Sequence, residues 1–245
     1  MCLYLDSRKL LIGTSLEITG SMYTVSGVVF DLDGTLVSSH HDYGEMTRRV
    51  TQILTDVGVE PAVLKQPGQV WRVTRGGDES MKGLGFTEEQ KTEISRQVTE
   101  ALNAVEVLSL KTLEVIPNAY ETLEYLSSEG FALGIATRAC NEYSVKALEM
   151  TGLDGFIDYM LARDMVENPK PDPRHLLEVL EALSLEPDDS VYIGDTTTDL
   201  RTAKSAKVTF IGYLRSPRWA ERLKEAGCDA EITDLSELKK LLIKR

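Results

Sequence analysis

The sequence predicts an α/β protein whose central parallel sheet is covered by helices and interrupted once by an all-helical insert. Three observations support this. Short apolar runs rich in β-branched residues alternate with helical patterns over most of the 245 residues. Two of those runs end in aspartates, at Val28-Val29-Phe30-Asp31 and Val191-Tyr192-Ile193-Gly194-Asp195. From about His41 to Thr112 the alternation stops, leaving helical spacing and no strand.

Residues 1–21 fit the pattern poorly, although Leu10-Leu11-Ile12 and Leu16-Glu17-Ile18 have the composition of a strand pair. Met22 stands just before the first core strand, so the expectation is a dispensable N-terminal extension over 1–21. The core strands are Val28 to Phe30, Phe131 to Ala136, Val191 to Ile193 and Val208 to Ile211. Tyr159-Met160-Leu161 is a weaker strand and Ala230-Glu231-Ile232 a last edge strand. Ala119, Leu123 and Leu126 share one helical face, closed by Gly130. Leu176, Leu177, Val179, Leu180 and Leu183 share another, opened by Pro173. Ser216-Pro217 opens a helix running to Gly227, and Leu235, Leu238, Leu241 and Leu242 make a terminal one. Within the insert, Met46, Val50, Ile53, Leu54 and Val57 recur at helical spacing. So do Ile94, Val98, Leu102 and Val105, behind a Thr87-x-x-Gln90 capping box. The expected organisation is a Rossmann-like three-layer core from residues 22–40 and 113–245, with a helical cap at 41–112.

Composition narrows the function classes. The chain carries 39 acidic and 27 basic residues, a formal charge of −12. That field opposes non-specific binding to nucleic acid or an anionic membrane, so neither is an expected partner. An anion handled here must be held by local cations or backbone amides. No apolar run approaches the roughly 20 residues that cross a bilayer. Three scattered cysteines, Cys2, Cys140 and Cys228, do not make a disulfide framework, and a reduced cytoplasmic setting is expected.

Four segments carry candidate chemistry. In Asp31-Leu32-Asp33-Gly34-Thr35 two carboxylates follow an apolar strand, spaced to start on the same side of the chain. Asp-Gly between apolar residues is also a hairpin signal, and the two readings are compatible. At Thr137-Arg138 a hydroxyl and the following amide can donate to a phosphate oxygen. The other reading there is a Thr or Asn141 capping the next helix. In Asn168-Pro169-Lys170-Pro171 the prolines restrict the chain around one ammonium group, which suits either anion binding or a stiff surface loop. In Gly194-Asp195-Thr196-Thr197-Thr198-Asp199, Thr196-x-x-Asp199 also matches a capping box. Asp195, at the end of an apolar strand, faces desolvation unless it meets a cation or donors. Strand ends of an open parallel sheet converge on one crevice, where these groups would meet.

In this order the motifs Asp-x-Asp-Gly-Thr, Thr, Lys and Gly-Asp-x-x-x-Asp resemble the haloacid dehalogenase-like superfamily over roughly residues 25–235. Glu167-Asn168-Pro169-Lys170-Pro171, Gly194-Asp195-Thr196 and the position of the helical insert resemble its phosphoglycolate phosphatase-like branch. The resemblance implies a Mg²⁺-dependent phosphatase acting on a small phosphorylated metabolite. Asp31 would be the nucleophile that forms an aspartyl-phosphate, and Asp33 the general acid and base. Thr137 and Lys170 would hold the phosphoryl oxygens. Mg²⁺ would sit on Asp31, the Asp33 carbonyl and Asp195, with Asp199 oriented nearby. The aspartate at position 33 implies phosphate esters, because relatives acting on halides or phosphonates need no acid there. Arg138, and Arg75 and Lys82 of the glycine-rich cap loop, are candidate substrate contacts, the last two otherwise being ordinary surface charges. A phosphomutase of the β-phosphoglucomutase type shares every core residue, and a non-catalytic binding protein on the same fold is the alternative from another class.

Overall fold

In the computed structural model, residues 22–60, 81, 84–215 and 217–245 are described, without the side chains of 217–219. The expectations for residues 1–21, for Arg75 and for Lys82 therefore lie outside the described residues.

The strands, in chain order, are β1 (Tyr23–Val25), β2 (Gly27–Phe30), β3 (Val37–Ser38), β4 (Glu114–Val115), β5 (Ala132–Ala136), β6 (Tyr159–Leu161), β7 (Ser190–Gly194), β8 (Thr209–Tyr213), β9 (Ala230–Ile232) and β10 (Leu242–Lys244). Six of them form one parallel sheet in the order β6-β5-β2-β7-β8-β9. β2 sits in the middle, where connections run outward to both sides: Gly27 pairs with Ala132 of β5 and with Ser190 of β7. The strand order reverses at this point, and the crevice lies beyond the carboxyl ends of β2, β5 and β7.

Alternating side chains serve two cores. Val28 and Phe30 join Leu133, Ile135, Val191 and Ile193 on one face, together with Leu123 and Leu126 of α3 (Ala119–Ser128) and Tyr143 and Ala147 of α4 (Asn141–Thr151). Val29, Tyr192 and Phe210 belong to the other, with Leu176, Val179 and Leu180 of α5 (Pro173–Ala182) and Leu200 and Ala203 of α6 (Thr197–Ala206). Gly130, at φ +80°, supplies the left-handed residue that lets the chain leave α3. α7 (Pro217–Ala226) precedes the edge strand β9.

Between β3 and β4 lie α1 (Tyr43–Asp56) and α2 (Glu88–Leu108), which share a separate apolar cluster. Met46, Val50 and Leu54 meet Ile94, Val98, Leu102 and Val105 there. α2 opens on the expected capping box: Thr87 Oγ1 accepts from the Gln90 amide at 3.2 Å, and Gln90 Oε1 accepts from the Thr87 amide at 2.9 Å. Where the chain enters and leaves this region, β3 and β4 pair antiparallel, Val37 opposite Val115.

The chain terminus departs from expectation. Instead of one amphipathic helix, Leu235–Glu237 form a 3₁₀ turn, α8 is a single turn at Leu238–Leu241, and Leu242 starts β10. β10 pairs in parallel with β1, Tyr23 opposite Leu242. Leu235, Leu238, Leu241 and Leu242 are all buried, so the helical spacing marked the inward side chains correctly. A partner strand some 200 residues away overrode the local preference for Leu242.

α2 is joined to the core by one buried carboxylate. Glu106, 5% exposed, accepts from the Cys140 amide at 2.8 Å and from the guanidinium of Arg163. Arg163 also donates to Asn103 Oδ1 at 2.6 Å and to the Arg138 carbonyl at 2.9 Å. Replacing Glu106 with Ala would leave a half-buried guanidinium and a buried amide unmatched. The Glu106→Ala variant is expected to lose about 2–4 kcal/mol of stability by urea unfolding, against a surface control such as Glu100→Ala.

Candidate active site

The crevice is organised around Lys170. Its Nζ donates to Asp31 Oδ1 at 2.6 Å, Asp199 Oδ1 at 2.7 Å and the Tyr192 hydroxyl at 2.7 Å, using all three of its protons. Lys170 is 2% exposed, Asp199 1% and Asp31 7%, so little water screens these charges. Burial opposes the ammonium, yet Asp199 and Asp31 more than offset it and hold the Lys170 pKa above its ordinary value. The loop carrying Lys170 is anchored by His175 on α5, whose Nδ1 accepts the Lys170 amide at 3.1 Å. His175 Nε2 then donates to the Leu161 carbonyl at 2.9 Å.

Asp31 follows the last residue of β2 directly, and its amide donates to the Ile193 carbonyl at 2.8 Å. Burial pushes its pKa up to about 7, with Asp199 and Asp33 adding to the rise and Lys170 opposing it. The Asp-Gly turn expected behind it is also present: the Gly34 amide donates to the Val37 carbonyl at 2.7 Å. Gly34 has φ +91°, and a Cβ there would lie 2.4 Å from Asp195 Oδ2. The turn therefore brings backbone against the carboxylate at the end of β7, an approach that only glycine permits.

Asp31, Asp195 and Asp199 each offer a carboxylate oxygen within 4.8 Å of the others. Asp195 Oδ1 is buried with no hydrogen-bond partner, and burial, then Asp31 and Asp199, raise its pKa well above the carboxylate range. Asp199 differs. Its Oδ1 accepts from Lys170 and Tyr192, and its Oδ2 from the amide and hydroxyl of Thr196, so the expected capping box and the lysine contact coincide. These donors leave Asp199 no free lone pair. Burial raises its pKa, but Lys170, Thr196 and Tyr192 together more than offset this and hold it below the usual carboxylate value. Orphaned Asp195 Oδ1 beside Asp31 is a hard-oxygen pair short of one cation, which fits a divalent ion such as Mg²⁺.

Asp33 points into a different set of partners. Its Oδ1 accepts from the Tyr143 hydroxyl at 2.6 Å and the Ser39 hydroxyl at 3.3 Å, and lies 3.1 Å from His41 Nε2. Burial works against a charged His41, but the hydrogen bond and charge of Asp33 win, raising the imidazole pKa. His41 Nδ1 lies 3.0 Å from Ser109 Oγ just past α2, linking Asp33 to the helical region.

Thr137 is 1% exposed at the end of β5, with its amide on the Leu161 carbonyl at 3.1 Å. Its Oγ1 accepts from the Ala139 amide at 3.0 Å, leaving the hydroxyl proton for the crevice. Neither Thr137 nor Asn141 caps α4. The amides of Cys140 and Asn141 instead reach the carboxylates of Glu106 and Asp164, both at 2.8 Å. Asp31, Thr137, Lys170, Asp195 and Asp199 thus meet at three adjacent strand ends, while Asp33 faces the helical region. Tyr143, His41, Tyr192 and His175 were not singled out from the sequence. The available signal was a tyrosine within an apolar face, whose hydroxyl needs a partner once buried.

A Rossmann-like sheet that gathers carboxylates around one buried ammonium at its switch point defines a class of α/β enzyme suited to phosphoryl chemistry. The family model described as haloacid dehalogenase-like hydrolase matches residues 28–213, and the chain belongs to that family. Pyrophosphatase PpaX of Halalkalibacterium halodurans is 36% identical over 105 residues, 42% of this chain and 49% of that protein. Phosphoglycolate phosphatase 1 of Pseudomonas aeruginosa is 30% identical over 188 residues, 74% of this chain and 66% of that protein. The chain thus spans about half and about two thirds of these relatives' lengths. A solved structure, a candidate β-phosphoglucomutase from Thermotoga maritima, superposes with a TM-score of 0.58 at 27% identity, covering 88% of this chain and 97% of that one. Among the described residues no helix is long and apolar enough to cross a membrane.

Burial lowers the His175 pKa to about 4, below the 6.5 of a free imidazole. In the window between those values the unfolded chain binds a proton that the fold refuses. Stability is therefore complete above pH 6.5 and falls as pH is lowered, by roughly 3 kcal/mol at pH 4. In a His175→Gln variant this limb of the stability–pH curve is expected to flatten, measured by urea unfolding at pH 4.5, 5.5 and 7.

Proposed function

We propose that this protein hydrolyses a small phosphate monoester through an aspartyl-phosphate on Asp31. The observation that carries this is the pair of carboxylates two residues apart with separate partners: Asp31 on Lys170, Asp33 on Tyr143 and His41. A nucleophile must be ionised and a general acid protonated, so the two need different surroundings. Asp31 Oδ1 is fixed by Lys170, which orients the other oxygen for attack on phosphorus. Asp33 would give its proton to the leaving oxygen, then take one from the water that opens the aspartyl-phosphate. The Thr137 hydroxyl and the Lys170 ammonium would hold the phosphoryl oxygens. Asp199 and Tyr192 position Lys170 for this.

Mg²⁺ would be held by Asp31, the Asp33 carbonyl and Asp195, and when bound it would draw negative charge off the phosphoryl group. A divalent ion also fits the charge balance, because one ammonium stands against several carboxylates. The relatives' substrates, phosphoglycolate and pyrophosphate, suit a small ligand under a helical cap. Residues 41–112 are proposed as that cap, with 22–40 and 113–245 as the catalytic core, in a cytoplasmic enzyme.

A second reading, phosphomutase, is favoured by the likeness to the Thermotoga structure alone. Incubation with a hexose phosphate separates them: free phosphate marks hydrolysis, an isomer without release marks the mutase. The Asp31→Asn variant is expected to lose at least about 10³-fold in phosphate release while keeping its circular dichroism spectrum. Chelation by EDTA should abolish release by the parent protein and added Mg²⁺ restore it. Undiminished turnover by Asp31→Asn would rule out the nucleophile.

A further inference from the structure

Arg138 follows Thr137 at the end of β5, with its main chain committed and its side chain without a hydrogen-bond partner at Nε among the described residues. Its carbonyl accepts from Arg163 at 2.9 Å, and its neighbours on both sides are held by the Thr137–Ala139 bond. Its Nε, in contrast, is shut off from solvent and has no hydrogen-bond partner among the described residues. A guanidinium in that position forgoes water without recovering the bond, which is costly unless an anion completes it.

The backbone locates it. Arg138 lies just past the end of β5, at the strand ends that also carry Asp31 and Asp195. Its carbonyl is held by Arg163, whose guanidinium also binds Asn103 and Glu106 of α2. Arg138 therefore lies between the strand ends of the crevice and the helical region. In-line displacement places the leaving oxygen opposite the attacking Asp31, hence on that same side.

We infer that Arg138 is a specificity-determining residue, binding a negatively charged group on the leaving portion of the substrate. This deepens the phosphomonoesterase reading and rests on it for the direction of the leaving group. In a chain of net charge −12, with acidic groups lining the floor, an anionic leaving group is repelled unless a local cation meets it. Lys170, buried at the floor among Asp31, Asp199 and Tyr192, serves the transferred phosphoryl group and leaves the leaving portion without a cation of its own. The planar fork of a guanidinium matches a carboxylate or a second phosphate through paired hydrogen bonds. The substrate class is thus a small phosphate ester or anhydride carrying a second anionic group.

The test compares two esters of similar size with Mg²⁺ present, phosphoglycolate and ethyl phosphate, whose leaving portion carries no charge, by calorimetry in an Asp31→Asn background that holds ligand without turnover. Arg138→Gln is expected to weaken phosphoglycolate about 10- to 100-fold. Ethyl phosphate should change by less than about 3-fold. Arg138→Lys, keeping the charge without the fork, should fall between, and thermal unfolding verifies that each variant is folded. Equal losses for both esters would assign Arg138 to the transferred phosphoryl group and overturn the inference. So would no loss for either, or no preference for phosphoglycolate with Arg138 in place. Phosphate release by the parent protein is followed separately. Discrimination without release would sink hydrolysis alone, and release without discrimination would sink Arg138 alone.

Discussion

The constraint on which the site depends is the burial of one ammonium group among carboxylates. An isolated buried lysine would shed its proton, and isolated buried aspartates would take one up. Together, Lys170 and Asp199 avoid both outcomes at short range, and Lys170 limits the rise of the Asp31 pKa to about 7. The geometry that permits this belongs to the sheet. β2 and β7 run parallel in register, delivering Asp31 and Asp195 side by side, and α6 starts where Asp199 can reach back. Replacing such a cluster by apolar residues would often cost no stability. Its presence at the switch point of the sheet is therefore better explained by chemistry than by folding.

Two carboxylates share a short segment but not an environment. The turn at Gly34 ends the strand direction after Asp31, so Asp33 faces Tyr143 on α4 and His41 before α1 instead of the lysine. One serves the floor of the crevice, the other its connection to the helical region. Glu106 reinforces that connection from α2, binding both the start of α4 and Arg163. The wall of the crevice beside Thr137 and Arg138 is thus built partly by residues from the helical region. Any shift of α2 would be felt at the strand ends.

Much of this was legible in the sequence because the signals were local. Apolar runs ending in Asp31 and Asp195, and prolines around Lys170, mark strand ends and a restrained loop without knowledge of the fold. The capping boxes at Thr87 and Thr196 were readable for the same reason. What escaped depended on distant partners. Leu242 continues a helical spacing, and only β1 makes it a strand. Asn141 has the side chain of a helix cap, yet Asp164 and Glu106 take the amides of that turn. Tyr143 and Tyr192 read as apolar members of a helix and a strand. Their hydroxyls acquire meaning only when the turn at Gly34 and the lysine loop are placed against them.

The pairing of β1 with β10 has a mechanical consequence. The two strands run in the same direction, with Tyr23 opposite Leu242 and the Arg245 amide on the Val25 carbonyl at 3.0 Å. Tension applied across these two segments would slide one strand along the other, loading their hydrogen bonds together instead of peeling them singly. Lys244 adds a bond to the Ser26 carbonyl at 2.9 Å, and Arg245 an ion pair to Asp189 at 2.9 Å, both resisting the same slide. The clasp lies beside β2, so a pull on these segments meets a shear lock before it reaches the strand that carries Asp31.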